Sequence, residues 1–128
     1  MSYPHFHTEC DEYHELVRDF NGAGERPTIV CLCGSTRFSA AFRDEMLRLT
    51  LDGVIVLTVG CMTHSDTQLG TIITPEKKAK LDELHKRKID LADEILVLNI
   101  QDYIGESTRS EIDYAKQHGK TVRYLEAV

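Results

Sequence analysis

Four short runs along the chain are apolar at nearly every position: residues 28–33, 54–58, 94–99 and 121–125. Strands of that kind are buried on both faces, the habit of a parallel sheet covered on either side. Between the runs the spacing becomes helical. Phe38, Ala41, Phe42, Met46 and Leu49 share one face of a helix predicted over 38–51, which Gly53 closes. Pro75 suits the first position of a helix reaching about Ala92. A third helix is predicted over 108–118, closed by Gly119. Ahead of these elements, Tyr13, Leu16, Val17 and Phe20 predict a short helix within 11–20, broken by Asn21-Gly22-Ala23-Gly24.

Strands alternating with helices imply right-handed βαβ crossovers. The predicted fold class is α/β: a three-layer Rossmann-like or flavodoxin-like domain whose parallel sheet has about four core strands, in the order 2-1-3-4. Residues 1–26 read as an N-terminal extension and 27–128 as a single domain. A chain of 128 residues, 41% of them hydrophobic, has enough apolar material for one core. In open sheets of this type ligands bind beyond the carboxyl ends of the strands, where the strand order reverses. That rule directs attention to segments 34–37, 59–74 and 99–107.

Charge narrows the partners. The chain has 15 Lys and Arg against 21 Asp and Glu, a net charge of −6. An acidic chain is a poor binder of nucleic-acid polymers, although a few local donors suffice to hold a small anion. No apolar run approaches the roughly 20 residues of a membrane span, and the first residues lack the features of a signal peptide. A cytoplasmic protein without a membrane partner is expected. Cys31 and Cys33 lie two apart in an apolar strand and point the same way, with neither a C-x-x-C motif nor a paired histidine motif in the chain. Together with Cys10 and Cys61 they are expected to be reduced thiols, with no disulfide and no zinc or other metal. His5-x-His7 reads as part of an irregular segment rather than as a metal site.

Two segments carry candidate chemistry. Gly34-Ser35-Thr36-Arg37 follows the first strand and opens a helix, so its backbone N–H groups, two hydroxyls and a guanidinium suit a phosphate or ribose. The alternative is a tight turn with a capping Ser or Thr. Tyr103 to Ile112 spans the loop after the third strand and the first turn of the next helix. There Glu111, at the positive end of the helix dipole, is expected to be ionised and exposed, facing the 34–37 turn. Its alternative role is structural, since Thr108-x-x-Glu111 fits a capping box. The loop 59–74 is long for a βα connection and contains His64 and Asp66, expected at a base or in a lid. Lys77, Lys78, Lys80, Lys86, Arg87 and Lys88 make one side of the second helix basic, a pattern read as a solvated face.

Taken together, Cys33-Gly34-Ser35-Thr36-Arg37, the run from Leu91 to Leu98, the run from Gly105 to Ala115 and Gly119-Lys120-Thr121-Val122 resemble the nucleoside 2-deoxyribosyltransferase family. Its relatives include the nucleoside 5′-monophosphate N-glycosidases. The resemblance covers about residues 28–125. It implies cleavage of the N-glycosidic bond of a nucleoside or nucleotide, by hydrolysis or by transfer to another base. Glu111 would be the residue that attacks C1′. Gly34, Ser35 and Arg37, with Gly105, Ser107 and Asp66, would bind the substrate, and no cofactor is required. A homodimer or larger homo-oligomer is implied. The sequence departs from the family at the Asp usually found on the helix before the third strand. That position falls near His85, which titrates near neutrality and becomes the candidate proton donor, with Asp82 and Asp90 as substitutes. A non-catalytic nucleotide-binding domain, or a hydrolase of another N-riboside such as a nicotinamide dinucleotide, fits the same fold.

Overall fold

The computed structural model of the chain describes residues 26–60 and 73–128. The predicted helix within 11–20, Cys10, Cys61, His64 and Asp66 lie outside the described residues. Four strands, β1 (Ile29–Cys33), β2 (Ile55–Leu57), β3 (Glu94–Val97) and β4 (Thr121–Tyr124), form one sheet in the order β2-β1-β3-β4. Every neighbouring pair is parallel. The α/β fold class and the strand order are those the hydrophobic pattern predicts. Three helices connect the strands: α1 (Ser39–Leu51), α2 (Pro75–Leu91) and α3 (Glu106–Gln117).

The period of two along β1 divides the core. Val30 and Leu32, with Leu96 and Leu98, pack against Phe42 and Leu49 of α1. Cys31 and Cys33, with Ile95 and Val97, pack against Ile89 of α2 and Ile112 and Ala115 of α3. α1 thus covers one face and α2 with α3 the other, because the chain reverses its direction across the sheet after β2 while crossovers keep one hand. Full burial of a side chain such as Phe42 or Ile89 contributes about 1.5–3 kcal/mol relative to exposure. Burial on both faces holds for β1 and β3. β2 and β4 are edge strands, and Ile55, Thr121 and Arg123 are exposed.

Two features fix the carboxyl end of the sheet. Gly34 lies so close to β3 that a Cβ there would stand 3.0 Å from the Leu98 Cβ and 3.3 Å from its carbonyl oxygen. Strand packing by itself therefore demands glycine at this position. Asn99, fully buried, accepts from the Glu126 N–H at 2.8 Å and donates to the Glu126 carbonyl at 3.0 Å, pinning the tail beside β3.

Candidate functional site

A cavity of about 290 Å³ opens at this end, walled by the 34–37 turn, the stretch of α2 from Lys78 to Lys88, the amino-terminal half of α3, and Tyr103. Its position follows from the topology, since β1 and β3 are neighbours whose connections leave in opposite directions. The volume is near the lower end for small-molecule sites.

The turn is built from local bonds. Ser35 caps a short 3-10 turn (Thr36–Phe38) by accepting from the Arg37 N–H at 3.3 Å, so the capping role foreseen for this segment is present. The same residues line the cavity. The Arg37 guanidinium stacks over the Tyr103 ring, 4.3 Å from its centroid, and Phe38 meets that ring edge-on at 5.9 Å. Arg37 is thereby held at the cavity wall while its charge stays exposed.

Helix α3 starts at Glu106, two residues before its predicted start. Gly105 is its N-cap and makes no side-chain capping bond. Glu111 is consequently the sixth residue of the helix, beyond the first turn, and the Thr108–Glu111 capping box is not formed. The expectation of an exposed, readily ionised Glu111 is also corrected: it is 8% exposed, and burial raises its pKa to about 7 against the opposing pull of His85. It still lines the cavity together with the 34–37 turn. One carboxylate oxygen lies 3.8 Å from His85 Nε2. The other, Oε2, is buried without a hydrogen-bond partner.

His85 projects from α2 and is 5% exposed. Its Nε2 also meets Cys33 Sγ at 3.5 Å and Cys31 Sγ at 3.6 Å, so the thiols and the imidazole form one buried polar group beneath the cavity. Burial pulls the His85 pKa down, but the Cys31 sulfur and the Glu111 carboxylate outweigh it, and the net shift is upward. Cys31 is pushed down to about 6, first by its bond from Cys33 and then, against its burial, by His85. Cys33 is pushed up, by Cys31 and by burial.

The basic side of α2, read from sequence as merely solvated, reaches the site in two places. Lys78 Nζ donates to Asp82 at 2.7 Å and to Ser107 Oγ at 2.9 Å, joining α2 to the start of α3 at the cavity mouth. Lys88 donates to the Thr58 carbonyl at 2.7 Å and also lines the cavity. The usable signal was the i, i+3/i+4 spacing of Lys78, Leu81, Asp82, His85 and Lys88, which places them along one stripe. Gly34, Ser35, Arg37, Gly105, Ser107, His85 and Glu111 all border the one cavity. Of the two substitute acids, Asp82 does so as well, whereas Asp90 accepts from the Tyr114 hydroxyl.

Comparison of the chain with protein-family profiles, with curated proteins and with solved structures gave no match. Among the described residues, no helix is long and apolar enough to cross a membrane.

Proposed function

We propose that this protein cleaves the N-glycosidic bond of a (deoxy)nucleoside, with preference for its 5′-monophosphate, through a covalent glycosyl–Glu111 intermediate. The observation that carries the reading is the placement of Glu111: a carboxyl group outside any capping role, on the wall of a cavity of about 290 Å³ that it shares with a turn and a helix start rich in anion donors. Retaining glycoside chemistry needs such a carboxylate beside the anomeric carbon.

In the first step a Glu111 oxygen bonds to C1′ as the C1′–N bond breaks, and its electron pair leaves on the base. The base takes a proton from water. His85 Nε2 faces Glu111 and the two thiols, which suits it to holding the carboxylate charged rather than to reaching the base. In the second step water attacks C1′, the sugar–Glu111 ester opens, and the water's proton passes to solvent. A second base attacking in place of water gives transfer. No cofactor enters either step.

The 5′-phosphate would lie between Arg37, Lys78, Ser35 and Ser107, with the uncapped first N–H groups of α3 adding the positive end of its dipole. A neutral 5′-hydroxyl needs fewer donors. The resemblance to the deoxyribosyltransferases and monophosphate N-glycosidases supports the same assignment of roles.

The test is incubation with a panel of nucleosides and their monophosphates, with free base separated by chromatography. Glu111→Gln is expected to abolish base release while retaining binding of a monophosphate. The buried, unpartnered carboxylate oxygen and its upward pKa shift mark the native carboxyl as unfavourable to the fold. The variant should therefore melt no lower than the parent at pH 8. Base release undiminished in Glu111→Gln removes Glu111 as the nucleophile, whereas no release from any substrate by the parent removes the enzymatic reading and favours a nucleotide-binding domain.

A further inference from the structure

Among the described residues, Cys31, Cys33 and His85 bring three ligand atoms within 4.8 Å of one another, and all three residues are buried. We propose that they form a binding site for a zinc-class divalent ion, with Glu111 as the fourth ligand. Spacing along β1 is silent about such a site, because the third and fourth donors come from elsewhere in the chain. Cys31 and Cys33 are two apart on β1, His85 is on α2 and Glu111 is on α3. β1 and α2 bring three donors to one point, and α3 holds Glu111 beside it.

The geometry supports an ion at that point. With metal–sulfur bonds of about 2.3 Å and metal–nitrogen bonds of about 2.0 Å, a tetrahedral ion holds sulfur and nitrogen about 3.5 Å apart. Cys33 Sγ and Cys31 Sγ lie 3.5 Å and 3.6 Å from His85 Nε2. A Glu111 oxygen stands 3.8 Å from the same nitrogen but outside the 4.8 Å group of the other three donors, so the Glu111 side chain would move toward the thiols to become the fourth ligand. The second observation is the unpartnered Oε2 of Glu111, buried in a residue only 8% exposed. A buried carboxylate oxygen without a donor has acceptor capacity that a bound cation would satisfy. Two thiolates, an imidazole and a carboxylate select zinc over the hard cations magnesium and calcium.

Binding would release the two thiol protons to solvent and engage the unprotonated Nε2 of His85. The filled site carries a net charge of −1, which the ammonium of Lys88 at the same cavity partly offsets. Glu111 bound to the ion cannot attack C1′. The metal-loaded and catalytic states are thus alternatives of one pocket. This consequence rests on the proposed reaction, whereas the site itself does not.

The test uses the full chain, stripped with a chelator and titrated with Co²⁺ and then Zn²⁺. One Co²⁺ per chain is expected, with thiolate-to-cobalt charge transfer in the near ultraviolet and the intense visible bands of a tetrahedral ion. Zn²⁺ should displace it and raise the Tm. The band should be lost in Cys31→Ser/Cys33→Ser and weakened in His85→Gln. It should persist in Cys10→Ser/Cys61→Ser and in His5→Ala/His7→Ala, which report other thiols and histidines. Because the first double variant removes buried groups, its fold is checked by circular dichroism without metal, and His85→Gln serves if that fold is lost. Cobalt bound without the charge-transfer band, or a band that survives in His85→Gln and the Cys31/Cys33 variant, overturns the site. Base release is followed separately in metal-free protein. Its absence there bears on the glycosidase reading alone, and its suppression by one equivalent of Zn²⁺ is the expected result if both hold.

Discussion

At the scale of single residues, Gly34 and Arg37 are three positions apart and do different work. Gly34 is a packing residue. An added Cβ would meet the Leu98 Cβ at 3.0 Å and backbone at 3.3 Å, and backbone has nowhere to yield without parting β1 from β3. Gly34→Ala is expected to cost about 1–3 kcal/mol, the usual range for overpacking, read by urea denaturation. A loss below the error of that measurement would mean that the strands separate freely there. Arg37 is exposed, and its fold contact is the Tyr103 ring, so its removal should matter chiefly to a ligand. A charge-assisted bond to phosphate contributes about 1.5–3 kcal/mol. Arg37→Ala should raise KM for a monophosphate by that equivalent, about 10- to 150-fold by the same conversion, and far less for the matching nucleoside. Equal losses for both substrates would make Arg37 structural and remove the phosphate from that end of the cavity.

At the scale of elements, the helix starts show what a sequence can and cannot reveal. The start of α2 was legible: Pro75 cannot donate and tolerates the first helical position, and Thr74 caps it by accepting from the Lys77 N–H at 3.2 Å. Thr74→Ala should cost about 0.5–2 kcal/mol, while Thr74→Ser should be nearly neutral; a thermal melt of the two variants decides it. The start of α3 was not legible. Thr108-x-x-Glu111 satisfied a local rule, yet the helix takes in Glu106 and Ser107 as well, with Gly105 as a cap that has no side chain. That two-residue difference moves Glu111 from an exposed first turn to a buried second turn, and changes its electrostatics from ionised to reluctant. The alternation in β1 placed both thiols on one face correctly. It was silent about His85, since period and spacing report the face of an element and not what another element brings against it.

At the scale of the whole molecule, the sheet order was readable because fully apolar strands alternating with helices leave few topologies, and the cavity follows from that order. The long-range bonds that tie connecting segments to the sheet carry no such periodic signal. Asp93, just before β3, shows this. It accepts from the two terminal guanidinium nitrogens of Arg26, at 2.7 and 2.8 Å, and from the Ile29 N–H at 2.8 Å, so it joins the segment entering β1 to the start of β3. Arg26 first, and the Ile29 N–H after it, hold the Asp93 carboxyl well below the ordinary carboxylate range. A carboxyl held lower in the folded than in the unfolded chain gives stability that is fully present above the unfolded value, near pH 4. That stability is lost as pH falls further through the folded value. Both side chains are substantially exposed, 57% and 40%, so screening keeps the ion-pair part small. Asp93→Asn should therefore lower the Tm modestly at pH 7, and the gap between variant and parent should narrow as pH is taken from 5 to 2. Salt should narrow it at pH 7 also, but not close it, because the Ile29 N–H loses its charged acceptor whatever the ionic strength. A gap that is constant from pH 7 to pH 2 would assign the Asp93 contribution to the shape of the turn and not to its charge.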